Sequence, residues 1–138
     1  MKIKIINRDI LIYILNKSLD LESSSSDLED YIKDIILRVK KKRIRNLSGS
    51  YNVKVYQNHR YGIIIYMEHD EDIDYFPDII DLNVKIYKNS NLYFITDDYF
   101  LISDKEYRLI DNKYYVNIDD FSDREMLFVI EHGDIVYN

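Results

Sequence analysis

The chain has 138 residues, 46% of them hydrophobic and 32% charged, which suits one domain with its own core rather than a disordered or fibrous chain. It contains no cysteine, so disulfides, thiolate catalysis and cysteine-ligated zinc are excluded. The net charge of −6 is unevenly spread: residues 1–69 hold 13 Lys/Arg against 8 Asp/Glu, a balance of +5, and residues 70–138 hold 6 against 17, a balance of −11. Such a split speaks to association with charged partners or complementary surfaces, not to fold.

In chain order, Lys2 and Lys4 alternate with Ile3 and Ile5 as in a half-buried strand, and Asn7, Arg8 and Asp9 offer a turn into an apolar strand over 10–15. This opening does not read as a signal peptide, because Arg8 and Asp9 interrupt it and no small-residue cleavage site follows. The longest later uncharged stretch, 61–67, falls far below the ~20 apolar residues that span a bilayer. With cysteine absent, the expected location is the cytoplasm. Alanine is also absent while Ile, Lys, Asn, Asp and Tyr abound, a bias that points to AT-rich coding.

Four serines at 23–26 form a short loop before the strongest helix signal of the chain. Ser26 and Glu29 have the spacing of a capping box, in which the serine oxygen accepts from the Glu29 N–H and the carboxylate reaches back to the Ser26 N–H. Leu28, Tyr31, Ile32, Ile35, Ile36 and Val39 then form one apolar stripe at helical period. Asp27, Glu29 and Asp30 sit at the positive end of the helix dipole, the cations at 40–45 sit at its negative end, and Glu29–Lys33 and Asp34–Arg38 are oriented i, i+4 pairs. The stop falls at 46–49, so the helix is expected over 26–45.

Strand patterns follow. Tyr51, Val53 and Val55 alternate with Asn52 and Lys54; a turn at 57–60 leads into the nearly continuous apolar run 61–68, read as a central strand. Leu82, Val84 and Ile86 alternate with Asn83 and Lys85, and a turn at 88–91 precedes a strand at 92–96. Asp111-Asn112 between 107–110 and 114–118 is a two-residue hairpin signal. Ser122 and Glu125 form a second capping box, opening a short helix over 122–132 that Gly133 closes, and 135–137 adds a last strand. The class is α+β: a mostly antiparallel sheet of six to nine strands with the 26–45 helix packed on one face and a short C-terminal helix. Residues 1–138 form a single domain with a possible sub-boundary at 70–78. The order of elements over the first half, opening with Met1 to Asn7 and followed by hairpin, helix and strand pair, is similar to the N-terminal module of MecA-type protease adaptors. The likeness involves no shared motif, and no residue role is transferred from it.

Residues 70–81 carry six carboxylates and no Lys or Arg. Asp70, Asp72, Asp74, Asp78 and Asp81 fall at the spacing of a calcium loop, but Tyr75 stands where its sharp turn requires glycine and Asp81 replaces the longer bidentate Glu. The segment reads first as a solvated acidic loop, then as an acidic docking site, and only weakly as a metal site; no metal and no cofactor is expected. Lys40, Lys41, Lys42, Arg43 and Arg45 make the one basic cluster, which suits a helix C-terminus and also a phosphate or protein contact. The three histidines are dispersed, and no nucleophile elbow or phosphate loop occurs, so no catalytic constellation is present. Of the 14 tyrosines, Tyr56, Tyr87 and Tyr115, with Tyr66 and Tyr93, fall in the polar phase of their strands. If those strands share one sheet, they place tyrosine on its outer face, where a large ring with few rotamers makes a good interface contact. The reading that results is a small, non-enzymatic cytoplasmic regulator, adaptor or inhibitor that binds another protein or a second copy of itself. The alternatives are a nucleic-acid-related role, by phosphate contact at the basic helix end or by acidic mimicry, and divalent-metal binding at 70–81.

Overall fold

The computed structural model describes residues 2–15, 25–44, 47, 49–70, 80–132 and 134–137. They form an α+β fold whose elements run β1 (Lys2–Ile6), β2 (Asp9–Leu15), α1 (Ser25–Lys42), β3 (Gly49–Asn58), β4 (Gly62–Asp70), β5 (Ile80–Tyr87), β6 (Leu92–Thr96), β7 (Arg108–Ile110), β8 (Lys113–Asn117), α2 (Asp123–His132) and β9 (Asp134–Tyr137). The strands do not make one sheet. They divide into a first sheet, β1-β2-β4-β3-β5, and a second, β7-β8-β6-β9. All pairs are antiparallel except β3 and β5, which run parallel with Val53 opposite Val84.

Local chemistry explains the turns. At the β7–β8 hairpin both central residues are left-handed, Asp111 at φ 51° and Asn112 at φ 63°. Short polar side chains tolerate that region best after glycine, and this geometry matches the twist of the flanking strands. Asn7, at φ 58°, serves the β1–β2 turn in the same way. Before α2, the Ser122 N–H donates to Glu125 Oε1 at 2.9 Å and the Glu125 N–H donates to Ser122 Oγ at 3.2 Å, the reciprocal pairing of a capping box. Lys105 Nζ adds a second donor to Glu125 Oε1 at 2.9 Å. In α1 the expected pairs form, Lys33–Glu29 at 3.2 Å and Arg38–Asp34 at 2.7 Å. The Ser26 side chain of the other capping box lies outside those described.

Packing arranges three layers. Leu28, Ile32, Ile35, Ile36 and Val39 of α1 bury against the face of the first sheet made by Ile10, Ile12 and Ile14, Tyr51, Val53 and Val55, and Ile63, Ile65 and Met67. Tyr31, expected in that stripe, is 37% exposed at its margin. On the opposite face of the first sheet, Ile64 with Leu11, Tyr13, Leu15 and Tyr56 meets Leu92, Phe94, Val116 and Ile135 of the second sheet and Met126 and Val129 of α2. The central sheet is therefore covered on one side by a helix and on the other by a sheet.

Polar bonds fix the second sheet to the first. Arg60, in the β3–β4 turn, donates through Nη1 to the Ile118 carbonyl at 2.8 Å and pairs with Asp123 at 3.3 Å. Buried Asn58 donates to the Ser90 carbonyl at 2.9 Å while its Oδ1 accepts from the N–H groups of Arg60 and Tyr61 at 2.8 and 3.1 Å. The Ser90 N–H returns a bond to the Gln57 carbonyl at 2.8 Å.

Two outcomes follow from this packing. Ile64→Ala opens a cavity between the two sheets and is expected to lower unfolding free energy by about 2–5 kcal/mol, measured by urea denaturation. Glu125 is pulled from 4.5 down to about 2, first by the Ser122 backbone N–H and then by Lys105. A folded-state depression stabilises fully above the unfolded value and is lost as pH falls through the folded one. The wild-type urea midpoint should therefore drop between pH 4.5 and pH 2 by more than that of Glu125→Gln, which carries no titrating group there.

Candidate protein-docking surface

The five tyrosines expected on one outer face are distributed over two places. Tyr56, Tyr66 and Tyr87 project from β3, β4 and β5 of the first sheet on the side that receives the second sheet. Tyr137 of β9 lies among them: its ring stacks on Tyr56 with centroids 3.8 Å apart and stands 6.1 Å from Tyr66, while Tyr87 stacks on the other flank of Tyr56 at 5.2 Å. Tyr66 donates its hydroxyl proton to Asp9 Oδ2 at 3.0 Å, and the other oxygen of that carboxylate accepts from the His69 N–H at 3.0 Å. These rings belong to the junction between the sheets, so the expectation that they form a free docking face is corrected. The cause lies in the change of character along each strand. The polar phase of β3 begins with exposed Asn52 and ends in half-buried Tyr56, and that of β4 passes from buried Ile64 through Tyr66 to exposed Glu68. The second sheet covers only the aromatic end.

Tyr93 and Tyr115 do face outward. Their neighbours Leu92, Phe94 and Val116 are buried, and alternation turns the two tyrosines to the far side of the second sheet. There they and Arg108 line two adjoining depressions of about 310 Å³ each. One continues to Glu106, Tyr107, Asn117 and Asp120, and the other to Ile110, Val136 and Tyr137.

The other sequence candidates lie elsewhere. Lys40, Lys41, Lys42 and Arg43 end α1, where the N–H groups of Arg43 and Ile44 both donate to the Val39 carbonyl at 2.9 Å. Since α1 and the second sheet occupy opposite faces of the first, these cations share no site with Tyr93 and Tyr115. Arg45, Asp72, Asp74 and Asp78 lie outside the described residues. Asp70 and Asp81 sit in register with Ser50 from either side, on β4 and β5. Among the described residues no group of three or more His, Asp or Glu is placed to hold a metal ion. Among the same residues no helix is long and apolar enough to cross a membrane.

One surface escaped the reading of the sequence. Between β6 and β7 a single 3-10 turn, Tyr99–Leu101, is capped by Asp98, whose Oδ1 accepts from the Phe100 N–H at 3.0 Å. The turn presents Phe100 to solvent at 89% exposure. Tyr99 meets Tyr107 at 6.0 Å and Tyr114 at 5.7 Å, and Tyr107 meets Tyr114 at 5.0 Å, so the rings make one cluster beside β7. Leu109, 58% exposed, shares its face of β7 with Tyr114, and Ile110, 47% exposed, stands on the other face. The segment that carries the second sheet is acidic: residues 92–137 hold 4 Lys/Arg against 11 Asp/Glu, a balance of −7. The signal available in the sequence was the apolar run 99–102 between Asp97-Asp98 and Ser103-Asp104, flanked by turn formers on both sides. No protein-family model, no curated protein and no solved structure matches the chain. The resemblance in element order to adaptor modules accordingly assigns nothing to this surface.

The junction tyrosines carry their own test. Burial raises Tyr66 from 10.0 to about 12, with the Asp9 hydrogen bond adding to it, and burial likewise raises Tyr61 to about 12. Tyr137 is raised further, chiefly by burial and then by Tyr56 and Tyr66. A raised folded value means stability that is complete below the unfolded value and lost as pH climbs through the folded one. In an absorbance titration at alkaline pH, Tyr61, Tyr66 and Tyr137 should ionise only together with loss of the folded circular-dichroism signal. Reversible ionisation of every tyrosine near pH 10 with the fold intact is the contrary result.

Proposed function

We propose that this chain is a small non-catalytic, cytoplasmic protein-binding module, a regulator, adaptor or inhibitor, and that it engages its partner through the second sheet. The observation that carries the reading is where apolar surface is left in water. Of the twelve large hydrophobic residues exposed among those described, six (Tyr99, Phe100, Leu101, Tyr107, Leu109 and Ile110) fall within residues 99–110. Scattered exposed side chains need no explanation, but a contiguous aromatic patch marks an interaction site. Tyrosine and phenylalanine supply large contact area, and the depressions beside Arg108 offer pockets for partner side chains. The acidic surroundings favour a basic partner, chiefly by speeding encounter and rejecting acidic competitors. The cytoplasmic assignment is supported by the absence of cysteine.

Affinity capture from native cell extract at low and high salt tests the reading. Phe100→Asp alters a ring already 89% in solvent, so the fold should be retained and its thermal midpoint unchanged. The expected outcome is that this variant loses a partner retained by wild type, with affinity falling by about thirtyfold as for a truncated hot spot. Lys41→Glu with Arg43→Glu, on the far side of the molecule, should leave that capture intact. Capture that survives Phe100→Asp and fails with the helix variant would assign binding to the basic cluster and overturn the proposal.

A further inference from the structure

The open edges of the two sheets differ in a way that selects both the form and the charge of a bound segment. β1, β5, β7 and β9 are the four edge strands. Exposed strand edges are usually blunted by charge, because unpaired N–H and C=O groups template another strand. β1 exposes Ile5 and Ile6 but carries Lys2 and Lys4 beside them, and β5 alternates its apolar residues with Asp81, Asn83 and Lys85. β9 keeps Ile135 buried and Val136 and Tyr137 half-buried. β7 is exposed at all three of its residues, and Leu109 and Ile110 are its last two.

Hairpin geometry decides which of its backbone groups are available. The two-residue loop at Asp111 and Asn112 makes Ile110–Lys113 the closing hydrogen-bonded pair. Antiparallel pairs alternate, so Leu109–Tyr114 is a pair whose backbone groups turn away from each other. The Leu109 N–H and C=O therefore point to the open side of the sheet. On one face of that edge stand Leu109 and Tyr107, whose ring meets Tyr99, the neighbour and ring contact of Phe100; on the other stand Arg108 and Ile110, with Glu106 before them and Asp111 at the turn.

Resting on the docking surface proposed above, we infer that the second sheet takes up a basic, extended peptide segment as an added strand beside β7, with main-chain bonds to Leu109. Alternate apolar side chains of the segment lie on Leu109 and Phe100, and its lysines or arginines face Glu106 and Asp111. Charge complementarity selects this occupant. A second copy docking through the same face would bring two layers of −7 together, and a basic segment is repelled at β1 by Lys2 and Lys4.

The test uses the full chain and a capped eight-residue peptide alternating lysine and valine, titrated by calorimetry at low and high salt. Two further versions carry N-methyl groups on all the lysine nitrogens or on all the valine nitrogens. An added strand bonds to the sheet along one of its edges only. One methylated version should therefore lose about tenfold or more in affinity, the equivalent of one or two main-chain bonds, while the other stays close to the parent. Peptide binding should also slow amide exchange at Leu109, and Glu106→Lys with Asp111→Lys should weaken it and reduce its salt dependence. Equal affinity of both methylated versions, or no peptide binding while Phe100→Asp still abolishes partner capture, overturns strand addition and leaves the docking surface standing. Loss of neither partner capture nor peptide binding in Phe100→Asp removes the surface itself. Sedimentation as a dimer that Lys41→Glu and Arg43→Glu dissociate would identify a second copy as the occupant and overturn the inference.

Discussion

Ile63, Ile64 and Ile65 are consecutive and each is fully buried. Successive strand residues point to opposite faces, so a strand that buries all three needs cover on both sides. Each such side chain contributes roughly 1.5–3 kcal/mol relative to exposure, more than any surface ion pair in the molecule. The rest of the architecture answers this demand. The first side is met by α1, whose stripe reaches Ile63 and Ile65; the second is met by a separate four-stranded sheet that closes over Ile64.

Cover on the second side is partial, and that shapes the molecule. Where the second sheet rests, the strands of the first present Tyr13, Leu15, Ile64 and Tyr56; where it does not, they present Asn52, Glu68, Asn83 and Lys85, with Lys54 and Glu68 paired at 3.8 Å. Tyr137 marks the boundary, packed against Tyr56 and Tyr66 of the first sheet. Directional bonds from Arg60 and Asn58 at the tip of the β3–β4 hairpin then fix the orientation that apolar contact alone would leave loose. The second sheet thus rests on a fixed base, which suits the docking surface proposed for it.

Elements that depend on neighbours in sequence were legible. The α1 stripe, the Ser122–Glu125 box and the Asp111-Asn112 turn all rest on short-range chemistry, and each has its counterpart in the fold. Alternation showed that β3 and β4 have two faces, but not which element covers each, because period 2 records burial without naming the partner. For that reason Tyr56, Tyr66 and Tyr87 read as outward when they form the joint between sheets. Nothing local distinguishes a tyrosine facing solvent from one facing another tyrosine. The parallel pairing of β3 with β5 and the division into two sheets were hidden for the same reason, both being long-range. The exposed turn at 99–101 was not legible because an unbroken apolar run over 99–102 has no alternation to say that Ile102 is buried and Phe100 is in solvent.

An aromatic patch beside an open strand edge is an aggregation hazard unless something keeps copies apart. Here the hazard and the remedy occupy the same layer. β7 is only three residues long, which limits the number of main-chain bonds that two copies can exchange. The acidic excess of residues 92–137 makes any approach of two such faces repulsive, most strongly at low salt. The charge, unlike the shortness of the strand, does not hinder a chain of opposite sign. In the binding mode proposed above, the uneven charge that first sets this sequence apart acts as a filter: it lets apolar groups remain in water by disfavouring the protein's own copies and favouring basic segments.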